Sequence, residues 1–118
     1  SQNMNALKNS VTLIGHLGRD PESKTLENGR MFAKFTLATD EVYRNNDGEK
    51  VKETQWHNVI LWGKKAESMN GLLKKGKEVV VRGKLTYRTY KDKDGIERSF
   101  PEIVASELML TGKAPADS

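Results

Sequence analysis

Cysteine is absent from this chain of 118 residues, which excludes disulfides and thiolate metal sites and fits a reducing compartment. No apolar run approaches the roughly 20 residues that a bilayer-crossing helix needs. No secretory or transit signal precedes the first apolar stretch, so the expected location is cytoplasmic. Signatures of catalysis are also missing: there is no HExxH, no GxSxG and no phosphate-cradling Gly-rich loop. The two histidines, His16 and His57, fall on different expected strands without an acidic neighbour, a setting that suits packing or an interface better than general-base work. Asp92-x-Asp94-Gly95 has the start of a calcium loop, but the other ligands are not at their required positions. No enzyme activity, metal or cofactor is expected.

What is present fits one small domain with a modest core. Hydrophobic residues make up 36% of the chain and charged residues 31%, so much of the surface must be charged. Twenty Lys and Arg against sixteen Asp and Glu give a net charge of +4. The excess is concentrated in one half. From Lys64 to Arg98 there are eleven basic and five acidic residues, a net +6 that exceeds the whole chain's +4. A local basic surplus of this kind is an electrostatic footprint for phosphates or another anionic surface.

The pattern is mostly β. Strands are expected over Val11 to Leu17, Met31 to Thr39, Glu53 to Trp62, Glu78 to Tyr90 and Ser99 to Leu110. Asn45-Asn46-Asp47-Gly48 and Asp92-Lys93-Asp94-Gly95 carry Asp-Gly turn chemistry and read as two hairpin tips. Between the third and fourth strands, Ala66, Met69, Leu72 and Leu73 recur at helical spacing, predicting a short amphipathic helix over 64–75 that stops at Gly76. Five strands with one such helix is the order of an all-β oligonucleotide-binding barrel. A small sandwich is the competing architecture. Ser1-Gln2-Asn3 ahead of Met4 reads as a tag remnant, so residues 1–8 form a tag and N-terminal segment, 9–112 the folded domain, and 113–118 a short tail expected to be disordered.

In Thr54-Gln-Trp-His-Asn-Val-Ile-Leu-Trp-Gly-Lys64, strand alternation puts Trp56, Asn58, Ile60 and Trp62 on one face, with Lys64 and Lys65 just beyond. Exposed indoles beside cations suit nucleic-acid bases and phosphates; indoles turned inward would be ordinary core. In the fourth strand Arg82, Lys84, Thr86, Arg88 and Tyr90 share one parity, while Val79, Val81, Gly83, Leu85 and Tyr87 share the other. One face is thus expected to be apolar and inward, the other cationic and ending in a tyrosine. Lys34 lies on the face of the second strand opposite Ala33, Phe35 and Leu37. Tyr43-Arg44 and Tyr90-Lys91 pair an aromatic with a cation at the base of each hairpin tip. If both tips flank one groove, Tyr43, Trp56, Trp62 and Tyr90 become stacking platforms for an unpaired strand; otherwise the tyrosines pack at loop bases.

With these residues set out, the chain resembles the bacterial single-stranded DNA-binding protein (SSB) family from Asn9 to Gly112. The blocks that carry the likeness are Val11-Thr-Leu-Ile-Gly-His-Leu-Gly-Arg-Asp-Pro21, Phe35-Thr-Leu-Ala-Thr39, Gln55-Trp-His-Asn-Val-Ile-Leu-Trp-Gly-Lys64, Leu73-Lys-Lys-Gly76 and Val81-Arg-Gly-Lys-Leu85. The resemblance implies a nucleoid-associated homotetramer that wraps single-stranded DNA in replication, recombination and repair. It places the family's stacking aromatics on Tyr43, Trp56, Trp62 and Tyr90. Tyrosine replaces the commoner tryptophan at 43 and 90, and tryptophan the commoner phenylalanine at 62. It places the basic contacts on Lys64, Lys75 and Arg88, with Lys84, Arg82 and Lys34 added by parity, and His57 at a subunit interface. The family's usual Gly/Pro/Gln-rich linker and acidic, phenylalanine-tipped segment are not in this sequence, so recruitment of replication and repair proteins through them is not to be assumed. An alternative use of the barrel is a primosome-type protein-interaction adaptor, which would not need the four aromatics. An RNA chaperone resembling cold-shock domains would be shorter, with its aromatic motifs on neighbouring early strands.

Overall fold

The computed structural model describes residues 4–112. The tag remnant expected at 1–3 and the tail expected at 113–118 lie outside the described residues. In chain order the elements are α1 (Met4–Lys8), β1 (Val11–Leu17), β2 (Glu22–Thr25), β3 (Met31–Arg44), β4 (Lys50–Trp62), α2 (Lys64–Met69), β5 (Glu78–Lys91) and β6 (Glu97–Leu110). The sheet order is β1-β5-β6-β4-β3-β2, and a further β1–β3 pairing closes five of the strands into a barrel. Closure needs β1 and β3 to cross tightly: a side chain at Gly15 would overlap the carbonyl of Ala38.

Alternation decides what fills the barrel. Ala33, Phe35 and Leu37 from β3 meet Val59 and Leu61 from β4, Val79 and Val81 from β5, and Ile103 and Ala105 from β6. Leu17 adds to this cluster, and Ala66 of α2 with Leu73 beyond it completes it. Burial of large aliphatic groups such as Leu37 and Leu61, both with no exposed surface, supplies the main driving force.

The five expected strands and the helix between β4 and β5 are present, with three departures. First, α2 ends at Met69, because Gly71 takes φ 86°, a left-handed turn that stops the helix early. Leu72 consequently points to solvent instead of sharing the apolar face of Leu73. Second, β2 pairs with β3 as an outer strand whose four side chains are all exposed, so no alternation marks it in the sequence. Third, β3–β4 and β5–β6 run past the barrel as two long ribbons, paired out to Arg44–Lys50 and Lys91–Glu97. Tyr87, expected inward, is 66% exposed because its part of β5 lies on the ribbon beyond the core.

Candidate nucleic-acid interface

Cross-strand register assembles the site. Directly paired residues share a sheet face. Phe32 pairs with Trp62, Lys34 with Ile60, Thr36 with Asn58 and Ala38 with Trp56. Ile60 also pairs with Val104 of β6, and Val104 with Lys84 of β5. The same row parity continues through Thr86–Glu102, Arg88–Phe100 and Tyr90–Arg98. One outer surface therefore runs across β3, β4, β6 and β5. Ile60 lies on it, fully buried but outside the core cluster.

Neither indole enters the core. Trp56 is 61% exposed, and its six-membered ring lies over Gly18, where an added Cβ would come within 2.5 Å of the ring. Trp62 is half-buried and held on two sides. Its ring centroid is 5.3 Å from that of Phe32, and the Arg30 guanidinium lies 4.5 Å from the Trp62 centroid. Lys34 Nζ in turn sits 5.4 Å from the Phe32 centroid. Cation–π contacts of this kind fix ring orientation as well as adding attraction. Between the Trp62 and Trp56 rows of the sheet a groove of about 410 Å³ opens, walled by Lys34, Thr36 and Asn58 on the sheet and by Arg19 to Pro21 of the β1–β2 loop with Glu22 of β2.

At the other end, Tyr90 meets Phe100 edge-on with centroids 5.9 Å apart. The ribbon that carries Tyr90 is fixed at its tip by Asp92, whose carboxylate accepts from the backbone N–H groups of Asp94 and Ile96 and from Arg98 Nε. The Arg98 bond, followed by those from the backbone, holds the Asp92 carboxyl below its ordinary pKa. Arg88 donates from Nε to Glu102 at 3.2 Å.

Of the residues singled out from the sequence, Trp56, Trp62, Lys34, Lys84, Arg88 and Tyr90 lie on this one surface. Lys64 opens α2, two residues past Trp62, and is exposed. Lys75 stands beside the β1–β2 loop, its backbone N–H bonded to Asp20 at 2.8 Å. Arg82 keeps the parity of Lys84 but pairs with Thr12 and Glu107, beyond an irregularity in the β5–β6 register. Tyr43 and His57 are not brought to the same face. Tyr43 pairs with Val51 on the opposite side of the β3–β4 ribbon from Trp56, and its hydroxyl donates to Glu53 at 2.6 Å. That bond raises the pKa of Tyr43. His57 shares the opposite face; its Nε2 lies 2.9 Å from Thr39 Oγ1, and burial lowers its pKa. Sequence reading missed Arg30, Phe32 and Phe100 as members of the surface. Phe32 had the parity of Lys34 as a signal, whereas Phe100 needed the β5–β6 register.

Such a closed barrel, with rings and cations spread over one outer face beside an open groove, defines an oligonucleotide-binding fold. The profile of the single-strand binding protein family matches residues 8–111, and the chain belongs to that family. The single-stranded DNA-binding protein of Neisseria meningitidis serogroup B is 43% identical over 104 residues, 88% of this chain and 60% of that protein. Single-stranded DNA-binding protein 1 of Chlorobaculum tepidum is 39% identical over 105 residues, 88% of this chain and 65% of that protein. The chain thus spans about three-fifths of the length of these curated relatives. Among solved structures, the Plasmodium falciparum SSB complex with ssDNA superposes with a TM-score of 0.78 at 31% identity, covering 86% of this chain and 93% of that one.

Proposed function

We propose that this protein binds single-stranded DNA with little regard to sequence and shields it during replication, recombination and repair. The observation that carries the reading is the shared outer face on which exposed Trp56 and the braced Trp62 stand with Lys34, Lys84, Arg88 and Tyr90. Every base offers a π-face, so stacking on fixed rings tolerates sequence, while Lys and Arg meet the backbone. The relatives named above, and the SSB seen with ssDNA, support the same ligand. Lys64 and Lys75, at either end of the α2 region, extend the basic path. The role is one of binding, not of catalysis.

Titrating the protein with oligo-dT at several salt concentrations tests this. Log affinity should fall linearly with log salt, by roughly 0.7 per phosphate contact on a single strand. No affinity at low salt, or a flat salt response, would defeat the reading.

Assembly as a homotetramer is part of the proposal. Its support is an apolar row across the outside of three neighbouring strands: Ile14 pairs with Val80, and Val80 with Met109. Ile14 is 59% and Met109 66% exposed, which suits burial against a further copy of the chain. His57 is the residue of the site set assigned to a subunit interface. Light scattering coupled to size exclusion should report four copies, and a monomer at micromolar concentration would contradict it.

A further inference from the structure

Among the described residues, Glu102 is the one buried charged side chain, 4% exposed. Register nevertheless puts it on the outer surface, opposite Thr86 and two positions from Phe100. It lines the same groove as Lys34 and Asn58, on the path assigned to a polyanion. By Coulomb repulsion alone, a carboxylate there works against phosphate binding. Enclosing a carboxylate is also costly unless it is paired. Its partner is Arg88, whose Nε donates to Oε1 at 3.2 Å while much of the arginine side chain stays exposed.

A guanidinium carries five N–H donors in a rigid plane. The bond to Glu102 takes the Nε donor, and no other hydrogen bond of the Arg88 side chain is found among the described residues. Both terminal nitrogens therefore remain for a ligand. Phe100 pairs directly with Arg88 and packs against Tyr90, so the arginine lies beside an aromatic pair on which a base can stack. An arginine left free would lose its rotamer freedom when DNA binds; one already tied by a buried carboxylate loses it on folding.

We propose that Glu102 is a positioning residue, whose buried carboxylate aims the terminal nitrogens of Arg88 at a phosphate next to the Tyr90–Phe100 pair. The proposal rests on the single-strand DNA reading above and adds an acidic residue that strengthens binding to an anion. Its sign is what distinguishes it. Removing a negative charge from a DNA face ordinarily tightens binding, whereas here it must weaken it.

The test is a titration with short oligo-dT at several salt concentrations, using wild type, Glu102→Ala, Glu102→Gln and Arg88→Ala. Asp94→Asn, at the exposed tip of the β5–β6 ribbon, serves as the charge control. Glu102→Ala should weaken binding about tenfold and lower the salt slope by roughly 0.7, the share of one phosphate. Glu102→Gln keeps an acceptor for Nε but loses the charge assistance, so a smaller weakening of about threefold is expected. Arg88→Ala should lose the same slope increment, and adding Glu102→Gln to it should weaken binding no further. Asp94→Asn should bind as tightly as wild type or tighter. Thermal melts establish which variants are folded, and Glu102→Gln decides alone if Glu102→Ala is not. Glu102 variants that bind as tightly as wild type, or tighter, overturn the proposal alone. A wild type that does not bind oligo-dT overturns the underlying reading and this proposal with it.

Discussion

Replacing Trp56 by alanine separates binding from folding more cleanly than any other change on this surface. The ring is 61% exposed and rests on Gly18 outside the core cluster, so its loss removes little of the packing that holds the barrel. Stability should fall by about 1 kcal/mol or less, in line with substitutions away from a core. A base stacked on an aromatic contributes about 1–3 kcal/mol. Loss of that platform should therefore weaken binding by about 5- to 150-fold. The assay is a titration with oligo-dT short enough to span one barrel, roughly 4–16 nucleotides, with a thermal melt beside it. A folded Trp56→Ala protein that binds within twofold of wild type would refute the stacking argument. Trp62 behaves differently under the same logic. Its ring is wedged between Phe32 and Arg30, so Trp62→Ala should lower the melting temperature as well as the affinity.

Three further outcomes follow from the same geometry. Gly18→Val should push the Trp56 indole from its seat and reproduce most of the Trp56→Ala loss in oligo-dT affinity, since even a Cβ there overlaps the ring. Leu61→Ala, at a position with no exposed surface, should cost about 2–5 kcal/mol in chemical denaturation; a cost under about 1 kcal/mol would contradict its place in the core. Burial holds His57 below its ordinary value of 6.5, so the unfolded chain takes up its proton first as pH falls. The contribution is complete above about pH 6.5 and is lost as pH drops from there through the lowered folded-state value. Melts between roughly pH 7.5 and pH 5 should show that decline, and His57→Gln should flatten it.

The barrel was legible because the core stretches of β3 and β5 follow a two-residue alternation. Ala33, Phe35 and Leu37, like Val79 and Val81, announce an inward face, and the same rule sends Lys34 and Arg82 outward. Alternation fails where a strand has no buried side. Glu22-Ser-Lys-Thr25 is exposed on every residue and reads as loop until β3 is seen to pair with it. It also misplaced Tyr87, because parity says which side of a strand a residue occupies but not whether core lies there. The helix was drawn too long because Leu72 and Leu73 continue its spacing through Gly71, where a positive φ turns the chain.

For the candidate site, the common face of Trp56 and Trp62 followed from spacing within one strand. Relations between strands needed register. That is why Arg30 and Phe100 were passed over, and why Tyr43 was grouped with tryptophans that stand across the ribbon from it. Glu102 gave no signal at all. An acid in a strand is ordinarily solvated, and only the fold encloses this one against Arg88.

The measurement that goes most directly to the centre is tryptophan emission during oligo-dT titration of two single-tryptophan proteins, Trp56→Phe and Trp62→Phe. Each retains a ring at the substituted position and leaves one indole to report. The geometry requires the remaining indole to quench in both, with matching midpoints, as bases stack along one surface. Emission unchanged in both variants, with DNA shown bound by a separate signal, would mean that the strand lies elsewhere on the molecule.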